Sequence, residues 1–115
     1  MPRDPRLYLD DILDAVSAIN RYIDDYDYVS FVEDKKTQDA VVRNLEVIGE
    51  AVNHLPETVR SLANDIEWRK ISDLRNILIH QYFGISVPVI WDIVMNKLKP
   101  LRSACESILE HLEDD

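Results

Sequence analysis

Between Leu74 and Gly84 the chain reads Leu-Arg-Asn-Ile-Leu-Ile-His-Gln-Tyr-Phe-Gly, so that Arg75, Asn76, His80 and Tyr82 interrupt an otherwise apolar run. A helix that only packed would not set strong hydrogen-bonding groups so close to Ile77, Leu78 and Ile79. Arginine is a permanent planar cation that forks onto a phosphate, and histidine takes and gives a proton near neutral pH. The reaction that suits this pair is RNA cleavage without metal, in which a 2′-hydroxyl attacks its neighbouring phosphate. His80 would move the proton, Arg75 would stabilise the charge that develops on the phosphorane, and Asn76 would orient one or the other. Asn76 and His80, four residues apart, share a helix face. Arg75 and Tyr82 lie about 20° from alignment on another, whereas Arg75 and His80 stand about 140° apart around the axis. A joint site therefore needs the arginine to sweep round, the helix to unwind near His80, or a second copy to supply the other half. The last favours a composite site at a twofold dimer interface. Spacing alone also admits a plainer reading, and short motifs arise readily by chance. An isolated Arg and His on a helix are more often a surface pair or a satisfied core group.

The elements that must position this stretch are helical. Only two glycines and five prolines occur, among abundant Leu, Ile, Val, Ala, Glu and Asp. Asp4-Pro5 opens a first helix, the aspartate accepting a first-turn N–H and the proline lacking a donor that had no partner. Leu9, Ile12, Val16, Ile19 and Ile23 then line one face, and the chain turns over residues 24–28. Ser30-Phe31-Val32-Glu33 matches a capping box and predicts a second helix from there towards Leu55. Its seam is Val41, Leu45, Ile48, Val52 and Leu55. Gly49 inside it costs about 1 kcal/mol relative to alanine, which predicts the close approach of another helix or of an active-site group. Pro56 disfavours helix at Leu55, and Pro56 to Asn64 form a short helical turn. A third main helix runs from Glu67-Trp68 to about Tyr82, with Trp68, Ile71, Leu74, Ile77 and Leu78 inward and Gly84 as a left-handed cap. Ser86 and Pro88 restart the chain as a fourth, whose stripe is Trp91, Val94, Leu98, Leu101, Cys105, Ile108 and Leu112, with a kink at Pro100. The expectation is an all-α, antiparallel four-helix-type bundle with an additional short helix, forming a single domain over residues 1–115.

The totals narrow the function. The 115 residues suffice for one self-supporting core. The lone Cys105, on the apolar stripe, reads as a buried inert thiol. The absence of a basic-then-apolar leader and of any apolar run near ~18 residues predicts a cytoplasmic protein with no membrane partner. A net charge of −9 argues against a general nucleic-acid coat protein. The charge is uneven: −7 over residues 1–65, +3 over 66–102 and −5 over 103–115. The one basic region contains Arg75, which fits selective contact with a polyanion or an acidic partner.

Arg75-Asn76-x-x-x-His80-x-Tyr82 resembles the signature of HEPN-domain proteins, and the tyrosine two positions after the histidine resembles their HepT toxin branch. Asn44 with Gly49-Glu50-Ala51, the Trp68-Arg69 pair, Tyr82-Phe83-Gly84 and Trp91-Asp92 are similar to that branch in the same order, so the likeness covers nearly the whole chain. The resemblance implies a HEPN-like helical homodimer whose paired motifs line a cleft. It implies the toxin of a type II (or type VII-like) toxin–antitoxin system, an endoribonuclease with Arg75 and His80 catalytic and Asn76 supporting. It also implies neutralisation by a minimal nucleotidyltransferase antitoxin that transfers AMP from ATP to Tyr82. Charge placed there would occupy the phosphate site beside Arg75; packing with its hydroxyl at the rim is Tyr82's other role.

Glu50 is a candidate for holding Arg75 or His80 from behind. Glu46, Glu50 and His54 share a face of the second helix, but Asn53 stands where a Glu-x-x-His metal motif needs histidine. No metal and no cofactor are expected. Asp10, Asp11 and Asp14 read as an exposed acidic face, and Glu106, Glu110, Glu113, Asp114 and Asp115 as a solvated end. The rival function is a catalytically inactive helical module that binds the nucleotidyltransferase. The net charge and the Arg75–His80 angle favour it.

Overall fold

The computed structural model describes residues 3–80 and 87–114, without the side chains of Ile77, Ile79, His80 and Asp114. The described residues form seven helices: α1 (Pro5–Tyr22), α2 (Tyr28–Val32), α3 (Lys35–Asn53), α4 (Glu57–Arg60), α5 (Trp68–His80), α6 (Val87–Asn96) and α7 (Leu98–Asp114). The protein is all-α. The inward fate of Ile77 and the expected cap at Gly84 and restart at Ser86 lie outside the described residues.

α1 begins where Asp4-Pro5 predicts, with the Asp4 carboxylate accepting the Arg6 N–H. Leu9, Ile12, Val16 and Ile19 are buried, and Ile23 packs at the edge of the core. The turn that follows takes Asp25 to φ 65°, a left-handed conformation that aspartate tolerates better than most residues. α3 is the central element, packed along α1 on one side and α5 on the other, while α7 lies against α1. Its seam of Val41, Leu45, Ile48 and Val52 is buried, as is Leu55 just beyond its end.

Two expectations fail at helix boundaries. The second helix does not run unbroken from the Ser30–Glu33 capping box. Asp27 caps the five-residue α2 by accepting the Ser30 N–H at 2.8 Å, and Asp34 caps α3 by accepting the Thr37 N–H at 3.0 Å. Two aspartates in register for consecutive starts outcompete one serine. The break is sealed by Gln38, whose buried amide donates to the carbonyls of Phe31 and Val32. Asp34 also accepts from Tyr26 Oη at 2.5 Å and Thr37 Oγ1 at 2.7 Å. These donors hold its carboxyl well below the usual range, at about 2, the tyrosine contributing most.

The fourth helix does not kink at Pro100; it ends at Asn96 and restarts at Leu98. A continuous helix would leave the Asn96 carbonyl without a donor and in collision with the proline ring. Breaking at Lys97 puts Pro100 in the first turn of α7, where an N–H has no intrahelical partner. The stripe survives the break: Val94, Leu98, Leu101, Cys105 and Ile108 are all buried. Burial pushes the Cys105 thiol up to about 12, so it is inert at neutral pH.

α5 is anchored at its start and along one face. Trp68 is buried, and its indole N–H is shared between the carbonyls of Arg60 and Ala63 at 3.0 and 2.9 Å, tying the start of α5 to α4. Leu78 is buried and Ile71 and Leu74 are partly so.

Candidate functional site

Gly49 sets the position of Arg75. A Cβ on Gly49 would lie 2.9 Å from the Arg75 backbone nitrogen, 3.1 Å from the Ile71 carbonyl oxygen and 3.2 Å from the Arg75 Cβ. α5 thus crosses α3 at a point where no side chain fits, and the close approach expected at Gly49 is that of the Arg75 backbone itself. One turn further along the same contact, Ser72 Oγ donates to Asn53 Oδ1 at 3.2 Å. The residue that occupies the histidine position of a metal motif is thereby engaged with α5.

With the backbones this close, the residue after Gly49 meets Arg75 directly. Glu50 Oε2 pairs with Arg75 Nε. Both side chains are nearly half exposed, at 43% and 44%, so the pair adds only about 0–1 kcal/mol to stability. Its consequence is geometric. A guanidinium has five N–H donors in a rigid plane. The pair is an ion contact rather than a hydrogen bond, since Oε2 is buried and accepts none; it keeps the guanidinium beside Glu50, and among the described residues no protein group takes the two Nη nitrogens. Those are the donors that can fork onto phosphate oxygens.

Glu50 uses its other oxygen on His54, with Oε1 2.9 Å from Nε2. The His54 ring stacks on Tyr8 of α1, with centroids 5.2 Å apart and planes 12° from parallel. The Arg3 guanidinium covers Tyr8 at 4.9 Å, and Arg3 is itself paired with Asp11 at 2.7 Å. A contact path therefore runs from Asp11 through Arg3, Tyr8, His54 and Glu50 to Arg75, joining α1, α3 and α5. These residues, with Arg43, Glu46, Val47 and Ala51, line one open cavity of about 430 Å³.

Of the candidates named from sequence, the structure brings Arg75 and Glu50 together. Asn76 is exposed and does not line the cavity. The side chain of His80 and all of Tyr82 lie outside the described residues, so their relation to Arg75 is not described. Among the lining residues that sequence did not mark for this site are Tyr8 and Arg3, and also His54, which it weighed only as a metal ligand. The i, i+4 spacing of Glu50 and His54 was a visible signal. Nothing local links Tyr8 to His54, since their stacking depends on how α1 lies on α3.

The chain matches a protein family described as "Ribonuclease HepT-like" over residues 12–108. It is 43% identical to "Putative RNase MJ0127" of Methanocaldococcus jannaschii, over the whole of this chain and 96% of that protein. It is 38% identical to "Probable ribonuclease HepT" of Thermococcus cleftensis, over 94% of this chain and 98% of that one. A third relative, "Gamma-glutamylcyclotransferase and putative RNase MJ0434" of M. jannaschii, is 35% identical over 98% of this chain, which spans 51% of that longer protein. No solved structure matches at comparable stringency. With a helical fold, a family match over most of its length and relatives at 43% and 38% identity, the chain belongs to the HepT-like ribonuclease family.

Proposed function

We propose that the protein is a metal-independent endoribonuclease, the toxin of a toxin–antitoxin pair, with Arg75 and His80 catalytic and Asn76 supporting. The observation that carries this reading is the Arg75 guanidinium, paired with Glu50 at Nε and lining a cavity of about 430 Å³, with neither Nη nitrogen taken by a described protein group. In the reaction the 2′-oxygen bonds to phosphorus and the bond to the 5′-oxygen breaks, leaving a 2′,3′-cyclic phosphate and a 5′-hydroxyl. Arg75 holds the non-bridging oxygens, whose negative charge grows in the transition state. His80 moves a proton. The angle of about 140° between Arg75 and His80 on a regular helix supports a homodimer in which each copy completes the other's site. The nucleotidyltransferase antitoxin and AMP transfer to Tyr82 belong to the same reading. A nucleoside phosphate near Arg75 would take the donors that the RNA phosphate needs.

A second reading has its own observation. Asp11, Glu46 and Glu50 line the same cavity as the arginines, in a chain of net charge −9. Such a field disfavours RNA and suits a helical module that binds the nucleotidyltransferase without cleaving anything. One experiment separates the two. Wild type, Arg75→Ala and His80→Ala are compared at equal folded concentration on varied RNAs in excess EDTA, with intact mass checked for an AMP adduct. Cleavage by unmodified wild type alone, leaving cyclic phosphate ends, supports the enzyme. No cleavage by unmodified wild type transfers the assignment to the binding module.

A further inference from the structure

We propose that His54 is a second proton-transfer residue of this site, acting on the RNA 2′-hydroxyl. The inference rests on the ribonuclease reading above and adds a residue outside the Arg75–Tyr82 stretch. Transesterification requires two proton movements, one off the attacking 2′-oxygen and one onto the departing 5′-oxygen, and the motif contributes one histidine per chain.

Three features set His54 apart from an ordinary surface histidine. The first is its carboxylate. Glu50 Oε1 lies 2.9 Å from Nε2, and an ionised carboxylate only accepts, so the proton of the neutral ring resides on Nε2 and the lone pair on Nδ1. Among the described residues Nδ1 has no partner. This is the arrangement in which a carboxylate fixes the tautomer of a histidine base and stabilises the imidazolium that forms. The second is the ring plane, fixed by stacking on Tyr8 of α1, which also carries the Arg3 guanidinium over its ring. A helix-surface Glu–His pair at i, i+4 needs no such clamp. The third is a shared neighbour: the same Glu50 pairs with Arg75 through its other oxygen, so the imidazole and the guanidinium meet at one carboxylate in one cavity.

The step balances. Nδ1 of His54 takes the 2′-hydroxyl proton as the O2′–P bond forms. The P–O5′ bond breaks as the leaving oxygen takes a proton from the imidazolium of His80, and both rings then return to their starting states by exchange with water. The charged and titratable groups that share the cavity with His54 are Arg43, Glu46 and Glu50 from its own helix, Arg75 from α5, and Tyr8, Asp11 and Arg3 from the α1 side.

The test is the pH–rate profile of cleavage in full-length His54→Gln and His54→Ala, beside wild type and His80→Ala. Glutamine keeps a donor for Glu50 but transfers no proton. The expected result is a fall in kcat of about 10²–10⁴-fold with KM within a few-fold. A base is active when deprotonated, so the acidic limb of the profile should also disappear. Free imidazole should restore part of the rate of His54→Ala. Active wild type with His54→Gln at full rate and an unchanged acidic limb overturns this inference alone. A rate loss seen only as raised KM, without imidazole rescue, assigns His54 to binding and overturns it equally. Wild type inactive on all RNAs overturns the ribonuclease reading and this inference with it.

Discussion

Replacing Gly49 by alanine tests whether the α3–α5 crossing sets the geometry of Arg75. The added methyl would sit 2.9 Å from the Arg75 nitrogen and 3.1 Å from the Ile71 oxygen, where ordinary contact begins at 3.4 Å. Both atoms are backbone, so no rotamer change relieves the overlap and α5 must retreat by about 0.5 Å or more. Two opposing terms set the stability change. Alanine favours the helix by about 1 kcal/mol over glycine, while overpacking of this kind costs about 1–3 kcal/mol. The net is a loss of about 0–2 kcal/mol, or a fall in Tm of up to about 8 °C for a chain of this size. The site should suffer more than the fold. Misplacing a catalytic group by about 1 Å costs on the order of 10²-fold in rate, so the expected retreat predicts a drop in kcat of at least about 10-fold. Thermal unfolding by circular dichroism and RNA cleavage, normalised to folded protein, are measured on the same preparation. A Tm raised by about 4 °C with undiminished kcat would be the pure propensity effect. That result would refute the close crossing and the positioning of Arg75 derived from it.

Three further substitutions probe the scaffold. Trp68→Phe removes the indole donor shared by the Arg60 and Ala63 carbonyls. Denaturant titration should show a loss of about 1–2 kcal/mol, with kcat unchanged in the folded fraction. Pro100→Ala should change stability by less than about 1 kcal/mol, because proline in a first helical turn forfeits nothing; a gain of about 3 kcal/mol would mean that α6 and α7 are one strained helix. Asp34 has a depressed folded pKa of about 2 against an ordinary 3.8, so its stabilisation is complete above about pH 4 and lost as pH falls towards 2. The Tm difference between wild type and Asp34→Asn should therefore close over that interval, and a difference constant from pH 7 to pH 2 would contradict the assigned hydrogen bonds.

The parts of this molecule that sequence made legible are those governed by local periodicity. Leu9, Ile12, Val16 and Ile19, and again Val41, Leu45, Ile48 and Val52, declare their buried faces through helical spacing alone. Boundaries were harder because caps compete. Ser30 and Glu33 form an acceptable capping box, yet Asp27 and Asp34 offer two better starts, and a pattern match has no scale on which to rank them. Pro100 signalled a disruption three residues after its actual place, since a chain relieves a proline by ending the helix ahead of it. At the site, Gly49 announced a close approach without saying to what. Glu50 could be named as a support for Arg75 or His80, and its contact with Arg75 follows from the crossing. Tyr8 and His54 were invisible as partners because two helices separated by a turn and a capping helix must pack before their rings meet.

Glu50 shows why the site cannot be read as a stabilising feature. Its pair with Arg75 and its bond to His54 are both nearly half open to water, where such contacts add little to folding. The α3–α5 contact is held instead by the Gly49 crossing, the Asn53–Ser72 bond and the buried stripe. On the proposed ribonuclease reading, a carboxylate that stabilises so little while touching both an arginine and a histidine would act through orientation. It also lowers the local positive charge, which works against capturing a polyanion. An arginine kept only for electrostatic attraction would be better without it. The arrangement makes sense when the guanidinium must present Nη1 and Nη2 in one plane, and the imidazole one nitrogen, to a phosphate and its neighbouring hydroxyl. Glu50→Gln therefore distinguishes attraction from orientation. If attraction governs, removing the negative charge raises RNA affinity and turnover together. If orientation governs, affinity rises or holds while kcat falls.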